Sequence, residues 1–115
     1  MIVSIGEFQL KRRNLLPRFL QLSKEIYQQA LQSKGNIKAE LDNEGIVSFY
    51  SFTHWETTED MLSFVHSKKH GEILKETKNL CNKATFLQFE SKEFVSISDA
   101  KKEFKNHPNV KTINY

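Results

Sequence analysis

Four histidines, one tryptophan and one cysteine carry most of the chemical potential of this 115-residue chain. His66 and His70 are four residues apart, so a helix through both would put them on one face. An unperturbed imidazole titrates near pH 6.5, which suits a general base at neutral pH. Two imidazoles supply half the ligands a structural zinc needs, so no metal site is expected. The plainer reading keeps both at the margin: His66 sits beside Leu62 and Val65 at the edge of an apolar stripe, and His70 follows Lys68 and Lys69. Trp55 ends the most apolar stretch of the chain, where it could stack on a flat ligand or fill the core, its indole N–H wanting a partner if buried. His54, one residue earlier, points to the opposite side of an extended chain. Arg13, in the short basic run Lys11-Arg12-Arg13, could reach an anionic ligand or simply face water. Cys81 has no histidine or second cysteine beside it and reads as an inert small residue.

Composition narrows the classes. The chain is 38% hydrophobic and 27% charged, ordinary for one globular domain spanning 1–115. Net charge is +3, with seven basic against six acidic residues in 1–57 and ten against eight in 58–115. The excess is spread rather than gathered on one stripe, which argues against nucleic acid as a partner. A lone cysteine permits no intrachain disulfide, in keeping with a reducing cytoplasm. The opening residues lack a basic region followed by an apolar core, so no signal peptide is expected, and no run approaches the ~20 apolar residues that span a bilayer. A phosphate loop, a G-x-G-x-x-G turn, a serine-nucleophile motif and a convincing carboxylate pair are all missing, which removes kinases, nucleotide-dependent dehydrogenases and α/β-hydrolases from contention.

The elements that would position these side chains follow from periodicity. Residues 2–10 predict a strand. Asn14 is a candidate N-cap for a helix whose stripe of Leu16, Phe19, Leu20, Ser23, Ile26, Tyr27, Ala30 and Leu31 runs to a stop at Gly35. Residues 36–41 predict a second strand, 42–45 a hairpin turn, and Ile46 to Trp55 a third strand. Thr57 or Thr58 caps a second helix reaching Leu80, weakened at Ser67 and Gly71. Residues 84–90 predict a fourth strand, and Ser96 caps a short helix through about Asn106, stopped by Pro108. The last residues show no clear period. The order β-α-β-β-α-β with an added terminal helix is the split pattern of ferredoxin-like α+β folds.

The third strand carries large apolar groups on both sides: Val47, Phe49 and Trp55 on one, Ile46, Tyr50 and Phe52 on the other. Two crossover helices cover only one face of a four-stranded sheet, and an exposed aromatic forfeits roughly 2 kcal/mol of burial. The expected cover for the Tyr50–Phe52 face is a second copy packed face to face, making a homodimer; the competing cover is the terminal helix of the same chain.

The run from Phe52 to Leu74, with Trp55-Glu56, a capping threonine followed by Glu59-Asp60, and Phe64-Val65-His66-Ser67-Lys68-Lys69-His70, resembles the dimeric α/β-barrel superfamily that includes antibiotic-biosynthesis and haem-degrading monooxygenases. Within it the nearest resemblance is to a DUF3291 and spheroidene-monooxygenase-like branch, supported also by Phe86 to Phe104. The resemblance implies a pocket between sheet and helices for a flat aromatic or polyene molecule, with Phe49, Trp55 and Phe64 on its wall and no cofactor. An electron-rich polycyclic phenol would itself reduce oxygen. For the haem-degrading members it implies a tryptophan, here matched by Trp55, and a helix histidine, matched by His66 or His70. Their first-strand asparagine has no match in residues 2–10, which counts against haem. The same fold also hosts non-catalytic ligand-binding proteins, the alternative expectation.

Overall fold

The structure, a computed structural model, describes residues 1–115. Five antiparallel strands form one sheet in the order β2-β3-β1-β4-β5, with β1 Ile2–Leu10, β2 Asn36–Glu44, β3 Ser48–Trp55, β4 Cys81–Glu90 and β5 Lys111–Asn114. The four helices are α1 Leu16–Gln32, α2 Thr58–Val65, α3 Lys68–Leu80 and α4 Ile97–Asn106. Strands β1 to β4 with α1 and the α2–α3 pair make the ferredoxin-like α+β unit; α4 and β5 follow it.

Local chemistry explains the boundaries. A short 3₁₀ turn at Arg13–Leu15 precedes α1, and Leu15 takes the N-cap position, so Asn14 does not cap the helix; Pro17 stands at its start, where a missing N–H costs nothing. Gly35, at φ +80°, turns the chain from α1 into β2. The β2–β3 turn falls at residues 45–47 rather than 42–45, because Gly45, at φ +67°, takes the left-handed conformation that its neighbours resist. Thr57 Oγ1 accepts the Asp60 N–H at 3.1 Å to start α2, and Ser67 Oγ accepts the His70 N–H at 3.2 Å to start α3. The weak point expected at Ser67 is thus a full break between two helices. β5, unassigned from periodicity, pairs Lys83–Phe86 of β4 with Lys111–Asn114.

Register sorts the side chains. Ile2, Ser4, Gly6 and Phe8 of β1 lie opposite Trp55, Thr53, Ser51 and Phe49 of β3, and this face meets α1, α2 and α3. The other face presents Val3, Ile5, Tyr50, Phe52 and Leu87. Here the structure corrects the expected cover: α4 of the same chain closes this face with Ile97, Ala100 and Phe104, helped by Val95. Tyr50 and Phe52 are buried without any twin subunit. Polar contacts hold the helix down. Lys101 Nζ meets Asp42 Oδ2 at 2.8 Å and Glu44 Oε1 at 3.1 Å, and sits 4.2 Å from the centre of the Tyr50 ring. Tyr50 Oη lies 2.8 Å from Glu7 Oε2 and 3.1 Å from Glu44 Oε2, and burial with these two carboxylates pushes its phenol pKa well up. No helix is long and apolar enough to cross a membrane.

Candidate functional site

Between the sheet and helices α1 to α3 lies a cavity of about 740 Å³, within the range of small-molecule sites. Its existence follows from what the helix-facing side of the sheet lacks. Pairing places Gln88, Ser4 and Thr53 side by side across β4, β1 and β3, and Phe86, Gly6 and Ser51 in the next row. Four of these six side chains are small, where a closed core would carry branched apolar groups. Gly6 keeps the floor low: an added Cβ would come within 3.3 Å of the Phe8 and Phe86 rings, which already pack edge-on at 5.6 Å.

The walls are aromatic. Phe49 of β3 packs on Phe19 of α1 with ring centres 4.9 Å apart. Trp55 is fully buried, its Nε1–H donating to Thr53 Oγ1 at 2.9 Å, and its ring lies 5.1 Å from that of Phe64 on α2. Phe64 in turn meets the His70 ring at 5.0 Å, nearly perpendicular. Tyr27 and Ile26 of α1 and Ile73 of α3 complete that end of the lining. Across the outside of the cavity Arg18 of α1 pairs with Glu76 of α3.

His70 is the lining residue able to move a proton near neutral pH. Burial holds its imidazole below the usual 6.5, with the Val65 carbonyl pulling weakly the other way, so the neutral form prevails at pH 7. Its Nδ1 is buried with no hydrogen-bond partner. Ser67 Oγ, which caps α3 beneath this histidine, also accepts from Gln29 Nε2 at 3.1 Å.

Of the residues singled out from sequence, Phe49, Trp55, Phe64 and His70 border the cavity. His66 does not: the chain breaks at Ser67, so His66 caps the end of α2, faces solvent and no longer shares a helix face with His70. Arg13, in the exposed turn before α1, is also outside the lining. His54 is buried on the opposite face under Phe94, where its Nε2 accepts the Val95 N–H at 3.1 Å. The Cys81 thiol is fully buried and pushed up to about 11, a poor nucleophile. Sequence reasoning missed Ser4, Gly6, Ser51, Gln88 and Tyr27. The available signal was the pair Ser51 and Thr53 on the helix-covered side of a strand otherwise aromatic there.

The lining offers one imidazole, His70, which could serve as a single axial ligand to haem, and one cation, Lys111. Of the two carboxylates of a porphyrin, one would meet that cation and the other apolar wall.

The sheet order, the helix pair and the cavity beneath it define a ferredoxin-like fold of the kind seen in antibiotic biosynthesis monooxygenase structures. A candidate enzyme of that name from Deinococcus radiodurans superposes with a TM-score of 0.76 at 17% identity, over 84% of this chain and 97% of that one. Another from Nitrosomonas europaea gives 0.74 at 11% identity, over 81% and 100%. SnoaB, a cofactor-independent oxygenase from Streptomyces nogalater, gives 0.70 at 9% identity, over 82% and 95%. At these identities the likeness is one of fold. No protein-family model matches the chain, and no curated protein matches its sequence; finer placement in the DUF3291 and spheroidene-monooxygenase-like branch rests on the sequence resemblance alone.

Proposed function

We propose that this protein binds a flat, electron-rich aromatic molecule between its sheet and helices and oxidises it with dioxygen, using no bound flavin, metal or haem. The observation that carries the reading is the cavity of about 740 Å³, apolar and aromatic on its walls, with the neutral, partly orphaned imidazole of His70 at one end. The likeness in fold to SnoaB, a cofactor-independent oxygenase, supports it.

In such a reaction the substrate is the reductant. His70 takes a proton from an acidic ring carbon or phenol of the bound molecule, leaving an anion that the aromatic system delocalises. The anion gives electrons to dioxygen and the new carbon–oxygen bond forms. At a ring methylene, the resulting hydroperoxide expels water and leaves a ketone. One oxygen atom ends in the product and one in water, the four electrons come from the methylene, and no outside reductant is needed. Phe49, Trp55 and Phe64 hold the ring plane, and Thr53 fixes the Trp55 indole.

Oxygen uptake with a panel of anthrones and hydroquinones tests this. One dioxygen consumed per substrate is expected, falling by about 10²-fold or more in His70→Ala while far-UV circular dichroism stays native. A second reading, a ligand-binding protein without turnover, is favoured by the mostly apolar lining, in which His70 is the single imidazole. Trp55 is the only tryptophan and borders the cavity, so its fluorescence reports occupancy. Saturable quenching by the panel without oxygen uptake in the wild type would establish the second reading over the first.

A further inference from the structure

We propose that Gln29 of α1 is the positioning residue of His70: its amide oxygen draws the Nδ1 proton of the imidazole, through one buried water, and leaves Nε2 bare toward the cavity. The inference rests on the reading of His70 as the base of the site, and it adds the group that fixes the tautomer. Three buried side-chain polar atoms of the chain have no hydrogen-bond partner: Gln29 Oε1, His70 Nδ1 and His54 Nδ1. Buried polar atoms are costly to leave unpaired, so each one asks for a partner within reach. The first two belong to one cluster. Ser67 Oγ accepts from Gln29 Nε2 at 3.1 Å and from the His70 backbone N–H at 3.2 Å.

Helix packing sets this meeting. Arg18 pairs with Glu76, Glu25 with Lys69 and Gln29 with Ser67, so α1 and α3 run antiparallel and Gln29 lies against the start of α3. With Nε2 engaged by Ser67, Oε1 is the free end of the amide, and it accepts hydrogen bonds only. A neutral imidazole has one N–H and one bare nitrogen, and the partner of one nitrogen decides which of them carries the proton. An acceptor on the Nδ1 side therefore makes Nδ1 the donor. Gln29 Oε1 and His70 Nδ1 make no direct bond, and the donor count around them suits a water. Ser67 Oγ accepts both of its bonds and keeps its own proton to give. A water among the three accepts from His70 Nδ1–H and Ser67 Oγ–H and donates to Gln29 Oε1, about the number of partners that buried waters hold.

Few other groups bear on the ring. The Phe64 ring stands across it at 5.0 Å. The titratable and charged groups around it are His66 of α2, which disfavours its charging, Tyr27 of α1 on the cavity side, and the Lys69–Glu25 pair between α3 and α1. None of them bonds a ring nitrogen. The Val65 carbonyl also draws on the imidazole, so it is the rival to Gln29 as the acceptor that sets the tautomer. A bare Nε2 on the cavity side is the form in which an imidazole takes a proton from a bound molecule.

Long-range proton–nitrogen NMR correlation spectra of the full chain, isotope-labelled at histidine, test the assignment. His70→Ala identifies the signal among the four histidines. At neutral pH the wild type is expected in the Nδ1–H form. Gln29→Met, which keeps the length of the side chain and removes the acceptor, should populate the Nε2–H form and lower the His70 pKa further. Gln29→Glu should keep the Nδ1–H form and bind the His70 proton about tenfold more tightly or more. A side chain that only joined α1 to α3 would cost stability when changed and leave the tautomer as it was; circular dichroism checks that each variant is folded. In oxygen uptake, Gln29→Met should lower kcat more than it raises KM. A wild-type His70 in the Nε2–H form overturns the proposal. So does a Gln29→Met spectrum with tautomer and titration unchanged, since the Val65 carbonyl then sets the ring alone. A wild type without oxygen uptake removes the oxygenase reading and leaves the tautomer result to decide the role of Gln29.

Discussion

His70 illustrates how surroundings rather than residue type give a side chain its chemistry. The end of α2, the start of α3 and the Phe64 ring exclude water from one side of the imidazole, and the cost of charging it there keeps it neutral. A base of this kind is active in its neutral form, which persists below pH 6.5. The acid limb of the pH profile of kcat/KM is therefore expected at a pH below 6.5 and is expected to vanish with the remaining rate in His70→Ala. His54 is governed by the same physics with a structural outcome. Its pKa is also lowered by burial, and protonation would cancel the bond that Nε2 accepts from Val95. Both groups have folded-state pKa values below 6.5, so the folded state binds fewer protons than the unfolded chain between those values and 6.5. Stability is full above pH 6.5 and declines as pH falls through that window. Urea midpoints measured from pH 7.5 down to 5 should show the decline, and His54→Gln should flatten it.

At the level of elements, α4 decides what the second sheet face does. It closes an apolar surface through Ala100 and Phe104 and is tethered by Lys101 to β2 and to the Tyr50 ring. The ammonium over the ring contributes about 1 kcal/mol, and that is the expected loss in urea denaturation of Lys101→Ala. Asp42 and Glu44 are held below their usual carboxylate pKa values chiefly by their hydrogen bonds to Lys101. Their support is present above the unfolded carboxylate range and is lost as pH falls through the folded values. Ending the chain at Ser96 should uncover Tyr50, Phe52 and Leu87. Strong binding of a hydrophobic dye and loss of a cooperative transition are expected; a truncated chain with native dye response and midpoint would show that α4 is dispensable.

At the scale of the whole molecule, the cavity sets stability against binding. A sheet that keeps Ser4, Gly6, Ser51 and Thr53 beneath three helices forgoes packing that the same fold could make. Filling the space should therefore stabilise the protein as it removes the site. Ser51→Leu is expected to add about 1 kcal/mol, raising Tm by roughly 4 °C, while abolishing ligand quenching of Trp55. A fall in Tm with binding intact would mean that the serine hydroxyl, not the empty volume, is what the fold uses there.

Local chemistry on the chain itself determined the ferredoxin-like order of elements and the caps at Thr57 and Ser96. Periodicity and capping are short-range effects, and a few neighbouring residues specify them. Only the tertiary structure decided the rest. Whether Tyr50 and Phe52 meet a twin or α4 depends on where a helix some fifty residues later lands, and nothing in the strand records it. His66 and His70 looked equivalent at four-residue spacing; a cap at Ser67, outweighing continued helix, sends one to solvent and the other to the cavity. The floor of Ser4, Gly6, Ser51 and Gln88 comes from three strands far apart in the chain, and cross-strand register, a long-range property, is what assembles it.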